Sequence, residues 1–246
     1  MTGRGTNTYL IGTREVVVVD PGPDIPEHVE AIVAAAGDDG GRIVAQLLTH
    51  GHSDHLGGAA LVKARTAAPI FGHARLPGVD QIVGDGEEIE LGEARFTAYE
   101  TLGHADDHLC YRLSPGWTLF TGDLVAGSGT VVLSQTSGSL TRYLASLQRM
   151  YDLGPMTLMP GHGPTVPDGR ARIKEYLEHR ATRERQIADA LLAGPASVDV
   201  LVRRIYVETP RELYAMAAHN VQAHLEHLAV QGRVAVNGSE WRLIVR

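Results

Sequence analysis

The sequence predicts an α/β chain that closes with a small domain of helices and one hairpin. Three observations carry this. Strand-length apolar runs recur through the first two thirds of the chain, and they end in glycine together with a residue able to ligate a metal. Around them lie stretches with the three-to-four-residue apolar spacing of helices. The last third turns to helical patterns followed by two short strands around Asn237-Gly238, a strong hairpin signal. A chain of 246 residues, 43% hydrophobic, can hold a full core and a small second domain. The division is expected between a first domain of residues 1–179 and a second of residues 180–246.

The first element with chemical meaning is Ile43-Val44-Ala45-Gln46-Leu47-Leu48, a strand of the kind buried on both faces. Thr49-His50-Gly51-His52-Ser53-Asp54-His55 follows it, with four strong metal-ligand side chains in six residues. His50 and His52 are two apart, so in an extended segment they point the same way. Ser53 is expected to cap a helix running through Leu56 and Ala59 to Lys63. Asp54 and His55 would occupy its first turn, where the helix dipole favours a carboxylate. One strand end and one helix start thus present two pairs of ligands, which reads as two adjacent metal ions.

Two metals need more ligands, and later strand ends offer them. Arg95 to Tyr99 leads to Leu102-Gly103-His104. Trp117 to Thr121 leads to Gly122-Asp123, and Met156 to Met159 leads to Pro160-Gly161-His162-Gly163. Glycine at each place lets the backbone crowd a site.

Arg170 to Ala193 is helical in pattern, with Ile173, Leu177, Ile187 and Leu191 among polar residues, and Gly194-Pro195 ends it. Ser197 is expected to cap a short helix. Thr209-Pro210-Arg211-Glu212 reads as a capping box opening a helix with Leu213, Met216, Ala217, Val221, Leu225 and Leu228 on one face. Val234 to Val245 then forms the hairpin. Helices plus hairpin make a winged-helix arrangement. Its expected recognition helix exposes Glu212, Gln222, His224, Glu226 and His227 with Arg211 as the fixed cation, a poor inventory for reading bases or phosphates. The domain is therefore read as packing that covers the metal-site rim and shapes the substrate entrance. His28, His73, His179 and His219 read as surface or structural residues.

With these pieces in view, the chain resembles the metallo-β-lactamase-fold hydrolases. Thr49 to His55, His104, Asp123 and His162 carry the resemblance, with Gly5-Thr6-Asn7-Thr8-Tyr9-Leu10 and Val18-Val19-Asp20-Pro21-Gly22. It looks closest to the lactamase-beta-2-like group through Gly122-Asp123-Leu124-Val125, Gly127-Ser128-Gly129-Thr130, Tyr143 to Leu147, and the C-terminal domain. The resemblance implies an αββα sandwich with the site at one edge of two packed sheets. It implies that His50, His52 and His104 bind one metal, that Asp54, His55 and His162 bind a second, and that Asp123 bridges. Two zinc ions suit such a nitrogen and carboxylate set, and iron or manganese accept the same donors. The antibiotic-degrading enzymes of best-known type carry Cys where Asp123 stands, and flavodiiron proteins carry a carboxylate where His52 stands. Both departures argue against those activities, and one-iron persulfide dioxygenases are a minor alternative. Relatives usually have a strand before the Gly5-Thr6-Asn7-Thr8-Tyr9-Leu10 segment, so either a sheet edge is trimmed or the native chain begins upstream of Met1.

The expected chemistry is hydrolysis by a hydroxide held between the metals, with Asp54 as the catalytic residue that orients it and moves its proton to the leaving group. Asp20 and His108 are candidates for fixing the ligands by hydrogen bonds. The segment Ala126 to Ser139 is expected to line the pocket. The favoured substrate is an ester, thioester or lactone of a small molecule, and the alternative is metal-dependent cleavage of single-stranded RNA. A net charge of -7 does not advertise phosphate binding. A non-catalytic binding module fits poorly, because structural zinc sites are closed with four ligands. The single cysteine, Cys110, excludes an internal disulfide and reads as a core thiol. Nothing resembles a signal peptide or a membrane-spanning run, so a cytoplasmic enzyme is expected.

Overall fold

The run Val16-Val17-Val18-Val19 offers no polar face, so its strand must be covered on both sides. In the computed structural model, which describes residues 5–136 and 138–244, it is. Strand β1 (Tyr9–Ile11) pairs antiparallel with β2 (Glu15–Val19). Helix α1 (Pro26–Gly37) then leads to β3 (Arg42–Leu47), parallel to β2. The short helices α2 (Ser53–Leu56) and α3 (Ala59–Thr66) precede β4 (Ile70–Gly72) and β5 (Gln81–Ile82), which extend the sheet in parallel. Val16 and Val18 face Val29 and Ile32 of α1 and Val62 of α3. Val17 and Val19, on the opposite side of the pleat, join the core between two sheets.

The second sheet runs antiparallel through β6 (Glu88–Leu91), β7 (Ala94–Glu100), β8 (Leu109–Ser114) and β9 (Thr118–Gly122). After α4 (Ser139–Leu153), strand β10 (Thr157–Pro160) adds to β9 in parallel. Phe96, Leu109, Tyr111 and Phe120 meet Ala45 and Leu47 of the first sheet. On the outer side Cys110, Leu119 and Leu158 pack on α4 and on Ile173 and Tyr176 of α5 (Gly169–Leu192). The result is the expected αββα layering. Truncating Phe120 or Leu47 to alanine costs about 2–5 kcal/mol, because both are fully enclosed. Cys110 is the expected core thiol: burial pushes it up to about 12, and Thr101 Oγ1 lies 3.3 Å from its sulfur.

Helix α5 is continuous through residue 179, and its far end packs elsewhere. Ile187 and Leu191 share a separate core with α6 (Val198–Ile205), α7 (Tyr214–Val230), β11 (Val234–Asn237) and β12 (Glu240–Leu243).

Five local expectations need correction. Ser197 stands before α6 without a side-chain cap bond. Ser53 begins α2 and forms no side-chain cap, and the helical stretch breaks at Gly57-Gly58. There the His55 carbonyl accepts from Gly22 N–H and Gly58 N–H donates to the Gly22 carbonyl, so these groups serve the neighbouring turn. Thr209 does not cap α7. Pro210 is extended (ψ 141°) and a single 3₁₀ turn, Arg211–Leu213, precedes the helix. The hairpin turn is Gly238-Ser239, since Asn237 pairs with Glu240. His224, expected on the surface, is completely buried.

Candidate metal centre

Seven ligand-type side chains reach one end of the sandwich from the turns that follow β3, β7, β9 and β10 and from the start of α2. Hydrogen bonds between those turns draw them together: Leu109 N–H donates to the Thr49 carbonyl (2.7 Å) and Gly161 N–H to the Gly122 carbonyl (2.8 Å). Gly122 has a positive φ of 44°, and a Cβ there would lie 2.6 Å from Thr49 Oγ1. No other residue lets β9 pass so close to the β3 turn.

The seven fall into two groups. His50, His52, His104 and Asp123 form one, and Asp54, His55 and His162 the other, the ligand atoms of each lying within 4.8 Å of one another. His52 Nδ1 is 2.9 Å from His50 Nε2 and 3.0 Å from His104 Nε2. His55 Nε2 and His162 Nε2 are 3.3 Å apart. Asp123 stands between the groups. Its Oδ2 is 3.5 Å from His104 Nε2, while Oδ1 is 3.5 Å from His55 Nε2 and 3.4 Å from His162 Nε2.

Partners outside the cluster decide which imidazole nitrogens carry protons. The Val132 carbonyl can only accept, so His104 Nδ1–H donates to it (2.6 Å) and leaves Nε2 a bare lone pair. His162 Nδ1 donates likewise to the Gly5 carbonyl (3.1 Å). His55 Nδ1 donates to Asp20 Oδ2 (2.8 Å). Thr49 Oγ1 donates to Asp20 Oδ2 (2.7 Å), so it accepts from His50 Nδ1 (3.0 Å). In the neutral imidazoles, four Nε2 lone pairs therefore turn inward. They face one another and the buried Asp123 Oδ1, which has no hydrogen-bond donor. Acceptors crowded against acceptors need a shared cation, and nitrogen with carboxylate oxygen is a donor set for divalent transition metals. The residues fit a metal.

The electrostatics separate the imidazoles, two kept neutral and two drawn toward positive charge by the carboxylates beside them. Burial and the neighbouring imidazoles hold His50 well below its usual range, and burial also lowers His104. Burial opposes charge on His55, yet Asp20 beside it raises the group. Asp123 lifts His162 to about 9. Burial alone would raise Asp123, but His162, His55 and His104 keep its carboxyl well below the normal range.

Asp20 and His108 take up the positions foreseen for them. Asp20 accepts from Thr49 N–H, Thr49 Oγ1 and His55 Nδ1, tying both groups to one carboxylate. His108 accepts the Asp123 backbone N–H on Nε2 (3.1 Å) and places Nδ1 2.8 Å from Thr101 Oγ1. Thr6, unremarked as a functional residue in the sequence, donates to Asp54 Oδ2 (3.1 Å). Among the described residues, the His224 and His227 pair belongs to no group able to hold a metal.

A cavity of about 720 Å³ opens over His52, Asp54, His104, Asp123 and His162. As expected, the segment after Asp123 lines it, through Ala126, Ser128, Thr130, Val131 and Val132. Ser137 lies outside the described residues. The winged helix does not cover the rim. No described residue beyond Pro164 lines the cavity. Instead α7 meets the chain two residues past the lining, with His219 Nε2 3.2 Å from the Ser134 carbonyl, and meets α4, with His227 Nδ1 2.8 Å from Thr141 Oγ1. Helix α5 holds the lining segment itself through Arg172, Tyr176 and Arg180, side chains four residues apart that sequence reading passed over. Their spacing was the available signal.

Known proteins align with this arrangement. The sequence matches the profile of the metallo-beta-lactamase superfamily over residues 1–79 and 75–162, and that of the beta-lactamase associated winged helix domain over 197–241. It is 32% identical to the beta-lactamase-like protein 2 homolog of Drosophila melanogaster, an alignment covering 97% of this chain and 87% of the relative. It is 33% identical to the atrochrysone carboxyl ACP thioesterase of Aspergillus chevalieri, covering 85% and 70% respectively. A metallo-beta-lactamase family protein from Thermus thermophilus has a similar fold, with a TM-score of 0.80 at 23% identity over 97% of this chain and 94% of that one.

Proposed function

The chain belongs to the metallo-β-lactamase superfamily of hydrolases, and we propose that it is a dinuclear enzyme cleaving a thioester, or a related ester or lactone, of a small molecule. The observation that carries the substrate class is the cavity itself. Ala126, Val131, Val132 and Pro164 line it beside the metal-ligand side chains, and among the described residues no lysine or arginine does. An RNA strand is gripped mainly through phosphates by cations, whereas an acyl chain needs apolar walls. A relative named as an acyl carrier protein thioesterase supports the same class.

In this reading His50, His52 and His104 would hold one ion, Asp54, His55 and His162 would hold the other, and Asp123 would be shared between them. Zinc is the favoured metal, and iron and manganese accept the same donors. Bound metal supplies Lewis acidity, which makes hydroxide available near neutral pH and polarises a carbonyl. The protein does the rest. Asp54, partly open to the cavity and held by Thr6 Oγ1, receives a proton on its carboxylate and passes it to the departing group. Asp20 and His108 keep the ligands oriented, so little reorganisation accompanies reaction.

The test is a panel of acyl thioesters, esters and lactones beside labelled single-stranded RNA, run on zinc-loaded protein, chelated protein and the Asp54→Ala variant. Acyl cleavage that disappears on chelation and falls by at least about 100-fold in Asp54→Ala is the expected result. RNA cleavage lost in the variant, with no acyl cleavage, would move the enzyme to the nucleases. An Asp54→Ala protein that holds both metals and stays fully active would end the proton-transfer role.

A further inference from the structure

Arg180 is an anomaly in this fold. It is 4% exposed, yet among the described residues it forms no ion pair. Burying a charged guanidinium without a carboxylate is costly, so the position needs a reason. Two contacts supply it. Arg180 Nη2 donates to the Val131 carbonyl (3.2 Å), and its guanidinium lies 5.3 Å from the ring centre of Tyr143. Tyr143 OH in turn donates to the Leu124 carbonyl (2.7 Å). Arg180 thus fastens the cavity segment at Val131 and, through Tyr143, at the residue after Asp123.

The next carbonyl along, Val132, is the one that accepts from His104 Nδ1. Other bonds fix the rest of the segment. Arg172 Nη2 donates to the Gly129 carbonyl (2.9 Å), Tyr176 OH donates to it as well (3.0 Å), and Gly127 N–H donates to the His162 carbonyl (2.8 Å). Among the described residues, only the adjacent carbonyls of Val131 and Val132 bring a side chain of α5 within one residue of a hydrogen bond made by a ligand-type imidazole.

We infer that Arg180 is a positioning residue, which holds the Val131 carbonyl and thereby sets the adjoining Val132 carbonyl that would orient His104 for the ion held with His50 and His52. The inference rests on the dinuclear reading above. A planar fork can bond a carbonyl edge while lying flat against a ring; an ammonium does so only as a compact point charge with different geometry, and a thioether donates to neither. Orienting partners of this kind govern metal affinity by about 10- to 100-fold.

The experiment is zinc binding alone, by competition with a chromophoric chelator, on wild-type protein, Arg180→Met and Arg180→Lys, with circular dichroism reporting the fold. Two binding steps are expected in the wild type. Arg180→Met should weaken one of them by about tenfold and leave the other in place, with Arg180→Lys weakening the same step by several-fold. A folded Arg180→Met with both steps unchanged overturns the inference, as does an equal loss in both steps, which is the mark of a general structural role. If Arg180→Met does not fold, Arg180→Lys decides by the same criteria. If neither folds, Arg180 serves core stability and the inference fails. A wild-type protein that binds a single zinc refutes the dinuclear reading separately. The Arg180 effect is then read on that one step, and its absence overturns the inference.

Discussion

Asp20 shows how a residue outside the cavity can control what happens inside it. Its backbone takes a positive φ of 50°, and its carboxylate accepts three hydrogen bonds, from two atoms of Thr49 and from His55. Asn in its place offers one acceptor oxygen and turns an NH₂ group toward a donor, so one of these bonds must break. Asp20→Asn should weaken zinc binding by about 10- to 100-fold without unfolding the protein, measurable by chelator competition beside circular dichroism. Unchanged affinity would show that the His50 and His55 orientations come from packing alone. The seven ligand-type residues were readable in sequence, because each sits in or just after a short turn whose glycines and spacing advertise it. Arg180 was not. Helix α5 also carries Arg170, Arg172, Arg183 and Arg185, and sequence spacing does not say which guanidinium points inward to a carbonyl on another element. His224 misled for a simpler reason. It lies three residues after Val221 and four before Leu228, on the buried stripe, and burial pushes it down to about 3, so it stays neutral.

At the scale of elements, the two sheets are joined at their edges by a carboxylate. Glu93, in the turn between β6 and β7, accepts from the backbone N–H groups of Thr13, Arg14 and Glu15 between and at the start of β1 and β2. The Arg14, Thr13 and Glu15 amides hold its pKa down at about 2. A depressed acid contributes stability above its unfolded value of about 4.3 and loses that contribution as pH falls through the folded value. The melting temperature of wild type should therefore exceed that of Glu93→Gln at pH 7, and the gap should close between about pH 4.3 and about pH 2. A gap that is absent at pH 7, or equally wide at both ends, would contradict the clamp. The strands themselves were legible because valines covered on both faces leave little choice of structure. The expected caps at Ser53 and Thr209 failed because capping depends on where the neighbouring backbone finds its partners. Around α2 those partners belong to the Pro21-Gly22 turn, and before α7 the extended Pro210 stands outside the helix.

For the whole molecule, the αββα body brings the ligand-type residues together, and α5 ties it to the separate core of the C-terminal helices. Helix α5 enters both cores, and His219 of α7 meets the Ser134 carbonyl, two residues past the cavity lining. The fold was legible from strand ends and apolar spacing, whereas such contacts depend on side chains meeting carbonyls far away in sequence. None of the helices described is long and apolar enough to cross a membrane. Everything in the functional account depends on two ions acting together, so the most direct measurement is thioester hydrolysis during stepwise return of zinc to chelated protein. The rate should stay low through the first equivalent, rise with the second and level at two per chain. A rate that levels at one equivalent, or that survives with none, would contradict the dinuclear centre.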